Sequence, residues 1–241
     1  MNELWVVRGG LVPYDAARRA QKALERAREA GEIADLLLLL EHPPVYTRGR
    51  RSTRDELPMG EDWYRTQGIE VTDTDRGGRV TYHGPGQLVA YPIVSLRELA
   101  NPDDVHDFVS RMERAMIAAL ADWEVEAGLF ENLTGVWVGD AAPPAGDARK
   151  IGSIGIHVSR GVTTHGFAIN VNNDLQPFEW VVPCGIEACR MSSLSRELGA
   201  EQDLDRFATT VAARLAEAYG RRPIERGWEE TVGPLALELT A

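Results

Sequence analysis

Cys184 and Lys150 are the two side chains whose types and settings point most directly to nucleophilic chemistry. Cys184 lies in the segment VVPCGI, where proline and glycine predict an exposed turn, and Lys150 lies in the glycine-rich segment RKIGSIG. The thiolate is the nucleophilic form of cysteine, and a nearby cation lowers the pKa of a thiol from about 8.5. The pair therefore predicts a thiolate nucleophile with a lysine partner. The alternatives are a small buried thiol and a solvated lysine.

Two further segments combine glycines with polar groups that bind ligands, namely RGGRVTYHGPGQ at 76–87 and THGFAIN at 164–170. Together with Lys150 and the Pro-Cys-Gly turn, they resemble the lipoyl(octanoyl) transferases, that is, the octanoyl-[acyl-carrier-protein]–protein N-octanoyltransferases. The resemblance extends from about Leu36 to about Leu194, and its most specific part is the string from Gly77 to Gln87. A Pro-Cys-Gly turn alone would carry little weight.

The resemblance assigns roles to individual residues. Cys184 would carry the octanoyl group as a thioester, and Lys150 would favour the thiolate and move protons. The expected fold is that of the catalytic domain of biotin- and lipoate-protein ligases. Contacts to the acyl substrate would come from Arg76, Gly77, Gly78, Arg79, Val80, Thr81, Tyr82, His83, Ser153, Ile154, Gly155, Gly166, Phe167 and Ala168.

The chemistry that these roles imply needs no cofactor, ATP or metal ion. A thioester donor is already activated, exchange onto an enzyme thiol is nearly neutral in energy, and aminolysis to an amide runs downhill. The implied donor is octanoyl-acyl carrier protein. The implied acceptors are the lipoyl domains of 2-oxoacid dehydrogenase E2 subunits and the glycine cleavage H protein.

Small residues allow the backbone to approach a reacting carbonyl closely. The amides near Gly152–Gly155, or the amide preceding His83, are therefore candidates for stabilising the oxyanion of a tetrahedral intermediate. Apolar side chains such as Ile154, Phe167 and Val80 would line a slot for a medium-length acyl chain. The depth of that slot would set the chain length, at about 0.8 kcal/mol per buried methylene.

Each of the two glycine-containing segments, 76–87 and 164–170, holds one histidine whose role has two interpretations. His83 and His165 could each act as the base of a Cys–His pair, or simply bond a neighbouring carbonyl group within a turn. Two cysteines and five histidines show no paired spacing of the kind that zinc sites have, so we expect no metal site. Cys189, the second thiol, stands where the family usually continues without a cysteine; it is inert or forms a regulatory disulfide.

Composition narrows the class of protein. A length of 241 residues with 44% hydrophobic residues fits a single catalytic domain over 1–241. A net charge of -11 argues against nucleic-acid or anionic-membrane partners. The N-terminus MNELW lacks the features of a signal peptide, and two cysteines close in sequence suit a reduced compartment, so we expect a cytoplasmic enzyme.

Four arginines between residues 48 and 54 stand out in this acidic chain. Acyl carrier proteins and lipoyl domains are generally acidic, so the segment either docks one of them or is a solvated loop without a partner. Its members are Arg48, Arg50, Arg51 and Arg54.

The pattern of apolar residues predicts an α+β single domain with a central mixed or antiparallel sheet flanked by helices. We expect helices at 15–30, 103–123 and 204–219, a buried strand at Leu36–Leu40 and a loop at Val45–Arg54. Further strands are predicted at 69–72, 80–82, 88–94, 135–139, 150–159 and 162–172, and 140–147 is predicted to be a flexible connector.

Two rival functions share parts of this pattern. An ATP-dependent lipoate- or biotin-protein ligase on the same fold would have to bind a nucleotide and would need no acyl-carrying cysteine. A non-catalytic module that binds acyl carriers would need neither Cys184 nor Lys150. The presence of both residues favours the transferase.

Overall fold

The computed structural model describes residues 2–144, 146–181 and 189–233. Its helices are α1 (Tyr14–Glu29), α2 (Glu61–Thr66), α3 (Val105–Ala121), α4 (Leu194–Leu198), α5 (Leu204–Tyr219) and α6 (Trp228–Thr231). Its strands are β1 (Glu3–Leu11), β2 (Asp35–Glu41), β3 (Val45–Arg48), β4 (Glu70–Asp73), β5 (Thr81–His83), β6 (Gln87–Ile93), β7 (Gly128–Phe130), β8 (Leu133–Val138), β9 (Arg149–Ser159), β10 (Val162–Asn170), β11 (Arg190–Met191) and β12 (Arg222–Arg226).

A large mixed sheet forms the centre of the described part of the chain. Its strand order is β12-β1-β2-β6-β10-β9-β8-β7, and β11 pairs with β9 at one end. The pairs β12–β1, β1–β2 and β11–β9 are parallel, whereas the pairs from β2 to β7 along this order are antiparallel. The predicted α+β domain with a mixed sheet is therefore confirmed.

Strand β2 shows why both faces of this sheet must be covered. Leu37 and Leu39 face the side on which α3 and α5 pack, and Leu36, Leu38 and Leu40 face α1. All five leucines are at most 2% exposed. Because successive side chains of a strand point to opposite faces, an unbroken apolar run predicts a strand that is buried on both sides.

A smaller sheet, with the order β4-β3-β5, packs against an aromatic cluster that includes Tyr46, Tyr64, Tyr82 and Phe178. The prediction of a continuous loop over Val45–Arg54 was wrong in its first part, since β3 occupies Val45–Arg48. Three buried side chains at the start of this segment, beginning with Val45, supply the packing that holds β3 in place.

The long helices are confirmed with small changes at their ends. Asp104 caps α3 by accepting a hydrogen bond from the Asp107 amide at 3.0 Å, and Met112 and Met116 are core residues at 0% exposure. Val105 is 38% exposed, because it lies in the first turn of α3, before the stripe that packs on the sheet. No described helix has the length and apolar character required to cross a membrane.

Candidate functional site

A cavity of about 250 Å³ lies between strands β9 and β10 and the turn that leads into β5. Its wall contains twelve of the predicted site residues: Arg76, Gly78, Arg79, Thr81, His83, Lys150, Ser153, Ile154, Gly155, Gly166, Phe167 and Ala168. Chain segments separated by almost a hundred residues in sequence therefore meet at one concave surface, which is the usual form of a small-molecule site.

Three predicted contact residues lie outside this wall. Val80 and Tyr82 are buried in the aromatic cluster of the small sheet, so Val80, which we expected to line the slot for the acyl chain, does not line this cavity. Gly77 instead anchors the turn, because its amide donates to the Ile156 carbonyl at 2.8 Å. Cys184 lies outside the described residues.

Glycine at two positions lets the turn lie directly against β9 and against the segment that follows β3. A Cβ atom on Gly155 would come within 2.8 Å of the Gly77 carbonyl oxygen, and one on Gly49 within 2.5 Å of the Gly78 carbonyl oxygen. Any side chain at either position would separate the turn from its neighbours. Gly155 thus lets Arg76–Arg79 lie against the strand that carries Lys150.

Arg76 has a largely structural role. Its guanidinium donates to the carbonyl and hydroxyl oxygens of Thr47 at 2.6–3.1 Å and to the Gly77 carbonyl at 3.0 Å, and the residue is 7% exposed. A buried arginine needs such partners because its desolvated charge is otherwise costly. Arg79 is likewise engaged, since its guanidinium lies 2.6 Å from the Glu56 carboxylate.

Lys150 is 3% exposed and projects from β9 into the cavity wall. Its Nζ lies 5.2 Å from the centre of the Trp137 ring, a distance at which the ring face attracts a cation. Lysines are almost never fully buried without a specific reason. Of the 26 basic residues in the chain only Lys22 and Lys150 are lysines, and lysine, unlike arginine, can give up its proton.

The residues on either side of the Cys184 segment are firmly placed. Before it, the Trp180 carbonyl accepts a hydrogen bond from the Tyr64 hydroxyl at 2.8 Å. After it, Met191 pairs in parallel with Lys150, and the Ser192 amide donates to the Lys150 carbonyl at 2.9 Å. The chain that follows Cys184 therefore returns beside Lys150.

Three histidines gather at the α1 side of the cavity, and each has a fixed partner. Nδ1 of His42 lies 2.6 Å from the Val12 carbonyl, and its Nε2 lies 2.7 Å from the Tyr91 hydroxyl. His165 Nε2 lies 2.7 Å from the Asp75 carboxylate. The third ring, His83, stacks on Tyr14 at a centroid distance of 6.1 Å.

Burial keeps these imidazoles neutral. It lowers the pKa of His42 to about 4 and holds the pKa of His83 well below its usual value, where nearby His42 adds to the effect. Burial also lowers the pKa of His165, although the Asp75 carboxylate opposes this shift. The hydrogen bond from His165 in turn holds the pKa of Asp75 below its usual range.

His165 has a backbone conformation that is unusual for its place in β10. Its φ of +58° is in the left-handed region, which a non-glycine residue seldom adopts within a strand. The Gln21 side-chain oxygen accepts a hydrogen bond from the His165 amide at 2.6 Å, and Asp75 holds the ring. Such strain persists only where surrounding contacts impose it, and it is concentrated at functional sites.

The buried histidines predict acid destabilisation. His42 is neutral in the folded protein but binds a proton in the unfolded chain below pH 6.5. The free energy of unfolding should therefore fall as the pH drops from about 6.5 to about 4, by about 3 kcal/mol from His42 alone. Denaturant unfolding at pH 7 and pH 4 measures this difference. His42→Gln should flatten it, whereas replacing exposed His106 by Gln should not; a pH-independent unfolding free energy would contradict the assignment.

Sequence analysis did not name five residues of the cavity wall, namely Tyr14, Tyr91, Asn132, Leu133 and Thr134; Arg51 and His165, which also line it, were named only for docking and as a possible base. Tyr14 and Tyr91 lie on α1 and β6, where apolar spacing marks them as core residues, so no local signal separates them from their neighbours. The sequence setting of His165 left its role open. Among the described residues, no three His, Cys, Asp or Glu side chains lie close enough to hold a metal ion.

Comparison with known proteins gives a consistent assignment. The lipoyl protein ligase A/B catalytic domain matches residues 13–216. An octanoyltransferase of Mycolicibacterium smegmatis is 46% identical over 231 residues, covering 94% of this chain and 93% of that protein. One from Myxococcus xanthus is 45% identical over 225 residues, which cover 93% of this chain and 62% of that longer protein.

The fold has solved counterparts as well. The bipartite lipoate protein ligase of Thermoplasma acidophilum, studied with its E2 lipoyl domain, superposes with a TM-score of 0.74 at 18% identity, covering 99% of this chain and 92% of that one. At this identity the likeness establishes the fold alone. The sequence matches go further: the chain belongs to the lipoyl protein ligase A/B catalytic domain family and, within it, to the octanoyltransferases, which are acyltransferases.

Proposed function

We propose that this enzyme takes an octanoyl or lipoyl group from acyl carrier protein and passes it, through a thioester on Cys184, to a lysine of a lipoyl domain. The observation that carries the proposal is the placement of Lys150. Its amine is buried in the cavity wall, and its strand pairs with Met191, which follows Cys184 closely in sequence. An amine in that position can favour a thiolate and exchange protons with it.

In the first step the Cys184 thiolate attacks the thioester carbonyl of the donor. The tetrahedral intermediate collapses, the new thioester forms on Cys184, and the carrier's thiolate leaves and takes from Lys150 the proton that Cys184 gave up. Backbone amides of the glycine-bordered segment 152–155 are candidates for stabilising the oxyanion, because Ser153, Ile154 and Gly155 lie in the cavity wall.

In the second step the amine of the acceptor lysine attacks the thioester on Cys184. The amide bond forms, the Cys184 thiolate leaves, and the proton released by the amine must be taken up. A free lysine has a pKa of about 10.4 and is mostly protonated at neutral pH, so a base is required. Lys150 is the group we assign to that role.

The proposed acceptors are the lipoyl domains of 2-oxoacid dehydrogenase E2 subunits and the glycine cleavage H protein. Support comes from the structural likeness to a lipoate protein ligase that was studied with an E2 lipoyl domain. A donor that is already a thioester removes the need for ATP, so independence from ATP separates this proposal from an ATP-dependent ligase on the same fold.

Intact-protein mass spectrometry tests the proposal. Mixing the enzyme with octanoyl-acyl carrier protein in the absence of ATP should add the mass of one octanoyl group, which hydroxylamine should remove. The Cys184→Ser variant, treated in parallel, should gain no hydroxylamine-sensitive mass.

Each other outcome has a definite meaning. Modification of a lipoyl domain without any adduct on the enzyme would indicate direct transfer, and a requirement for ATP would indicate a ligase. If the enzyme forms no adduct and modifies no lipoyl domain, the result would favour a module that only binds acyl carriers. In each case the Cys184 mechanism would be wrong.

The arginine segment gives a second prediction, which concerns docking. Arg50 and Arg51 are exposed, their amides bond to the Arg76 and Gly78 carbonyls, and Arg51 also lines the cavity. Charge reversal of both residues to Glu should raise the KM for the acidic carrier-bound donor about tenfold, because complementary charge steers association, while sparing a small thioester donor. Steady-state kinetics with both donors measures this.

Arg48 does not belong to that docking surface, because its guanidinium pairs with Glu61 and Asp73 at 2.6 and 2.7 Å. A matched control reverses two arginines of α1, Arg19 and Arg26, which lie outside the cavity wall and change the net charge equally. Equal effects of the Arg50/Arg51 reversal on both donors would exclude docking at this segment.

A further inference from the structure

Two buried amide side chains form a continuous hydrogen-bonded path behind the cavity wall. Gln87 is 2% exposed, and its Oε1 lies 2.7 Å from Nδ1 of His83. Its Nε2 donates to Oδ1 of Asn170, also 2% exposed, at 2.9 Å. Asn170 Nδ2 then donates to the Ser192 carbonyl at 2.9 Å, and the Ser192 amide donates to the Lys150 carbonyl.

The orientation of both amides is fixed by two backbone carbonyls. A carbonyl can only accept, so the nitrogen of Gln87 must face the Tyr82 carbonyl at 3.2 Å, and the nitrogen of Asn170 must face the Ser192 carbonyl. The oxygen of Gln87 is therefore left facing His83, and it too can only accept. Nδ1 of His83 must carry the hydrogen.

A neutral histidine carries one ring hydrogen, so placing it on Nδ1 leaves Nε2 as an acceptor only. The surroundings of the ring favour this neutral form. Burial, nearby His42, Arg76 and His165 all lower the pKa of His83, with Gln87 alone opposing them. Uncharged Tyr14 stacks on the ring, which lies in the cavity wall.

We infer that Gln87 and Asn170 are positioning residues that lock His83 as its Nδ1–H tautomer, so that Nε2 accepts a hydrogen bond from an N–H group of the substrate. The inference rests on the proposed function for the identity of that group. Two sources share this chemistry: the amide of the donor's thiol arm and the amine of the acceptor lysine. A carboxylate, which only accepts hydrogen bonds, would find no partner at Nε2.

The tautomer is measured directly by two-bond ¹H–¹⁵N correlation spectra of protein labelled with ¹⁵N-histidine, with the His83 signals assigned by their loss in His83→Gln. We expect His83 in the wild-type enzyme to show the Nδ1–H pattern unchanged between pH 6 and 8. An Nε2–H pattern, or a doubly protonated ring, would overturn the inference. This readout needs no substrate, so it stands or falls independently of the proposed reaction.

Replacing Gln87 by Met removes the acceptor for Nδ1 while keeping the side-chain volume. The His83 tautomer should then become mixed, and one half-reaction should slow about tenfold, the equivalent of about 1.4 kcal/mol and of the order of one hydrogen bond. Slower acylation by an octanoyl thioester would identify the donor amide. Slower transfer from the acyl-enzyme to a lipoyl domain would identify the acceptor amine.

Asn172→Ala is the matched control, since it breaks a side-chain link to Gln202 without touching the path to His83. It should keep both the tautomer and the rates. If Gln87→Met keeps the Nδ1–H pattern, Gln87 does not set the tautomer; if the pattern changes while both half-reactions keep their rates, the recognition role is wrong. Should Gln87→Met fail to fold, Asn170→Ser tests the same path one step further from His83.

Discussion

Octanoyl transfer should fall about a thousandfold when Lys150 is replaced by Met, while the protein keeps its fold. Proton transfer by a positioned side chain typically contributes between a hundredfold and ten-thousandfold, and we assign both proton steps of the reaction to this amine. Methionine preserves the length and apolar stem that fit beside Trp137 and Gly135, so packing changes little. Single-turnover acylation and subsequent transfer, each followed by mass spectrometry, measure the effect.

Lys150→Arg separates the two roles assigned to this side chain. Arginine keeps the positive charge that favours a thiolate, but it does not release a proton at neutral pH. If charge alone matters, acylation should recover in this variant while transfer to the acceptor stays slow. If proton exchange governs both steps, neither rate should recover.

Lys22→Arg provides the control, because it exchanges the other lysine of the chain while preserving the ion pairs with Glu25 and Asp75. Its rates should match those of the unmodified enzyme. A Lys150→Met enzyme that keeps more than a tenth of its activity would show that another group takes up the protons, with the cavity-wall histidines His83 and His165 as candidates.

The sequence predicts much of the fold because local patterns dominate there. Five consecutive leucines bounded by turn residues favour a strand covered on both faces, and that is where they lie in β2. Segment 45–48 was misjudged because its arginine-rich continuation suggested a loop, whereas the aromatic cluster below it stabilises a strand. Pairing with a partner strand is a tertiary effect that local composition does not reveal.

In the candidate site, too, features set by local sequence could be predicted and features set by tertiary contacts could not. Motif glycines indicated which segments meet at the cavity, since a backbone without Cβ atoms leaves a recognisable pattern. The histidine environment was not predictable: we infer that the tautomer of His83 depends on Gln87 and Asn170, and Asn170 is 83 residues away from Gln87 in sequence, on the adjacent strand β10. Likewise, Asp75 and Gln21 meet His165 only in the folded protein.

Gly135→Ala should reduce octanoyl transfer about a hundredfold, although Gly135 touches no substrate in our proposal. Gly135 has a φ of +111°, and a Cβ atom there would lie 2.5 Å from the Gly152 carbonyl oxygen, 2.7 Å from Lys150 Cε and 3.2 Å from Lys150 Nζ. The new methyl group would have to displace the amine, and a shift of about 1 Å at a catalytic group can cost a hundredfold in rate. The strained backbone should also lower the free energy of unfolding by about 2 kcal/mol.

Gly128→Ala is the matched control, because Gly128 lies on the neighbouring strand β7 and its φ is not positive. A methyl group added there would meet no atom of the described residues within 4 Å beyond its own chain neighbours. It should leave both rate and stability nearly unchanged. Rates are compared well below the melting temperature of each variant, so that unfolding of the protein does not contribute to a lower measured rate. If Gly135→Ala retains more than half of the activity, the amine of Lys150 tolerates displacement, and its exact position in the wall is not what the reaction requires.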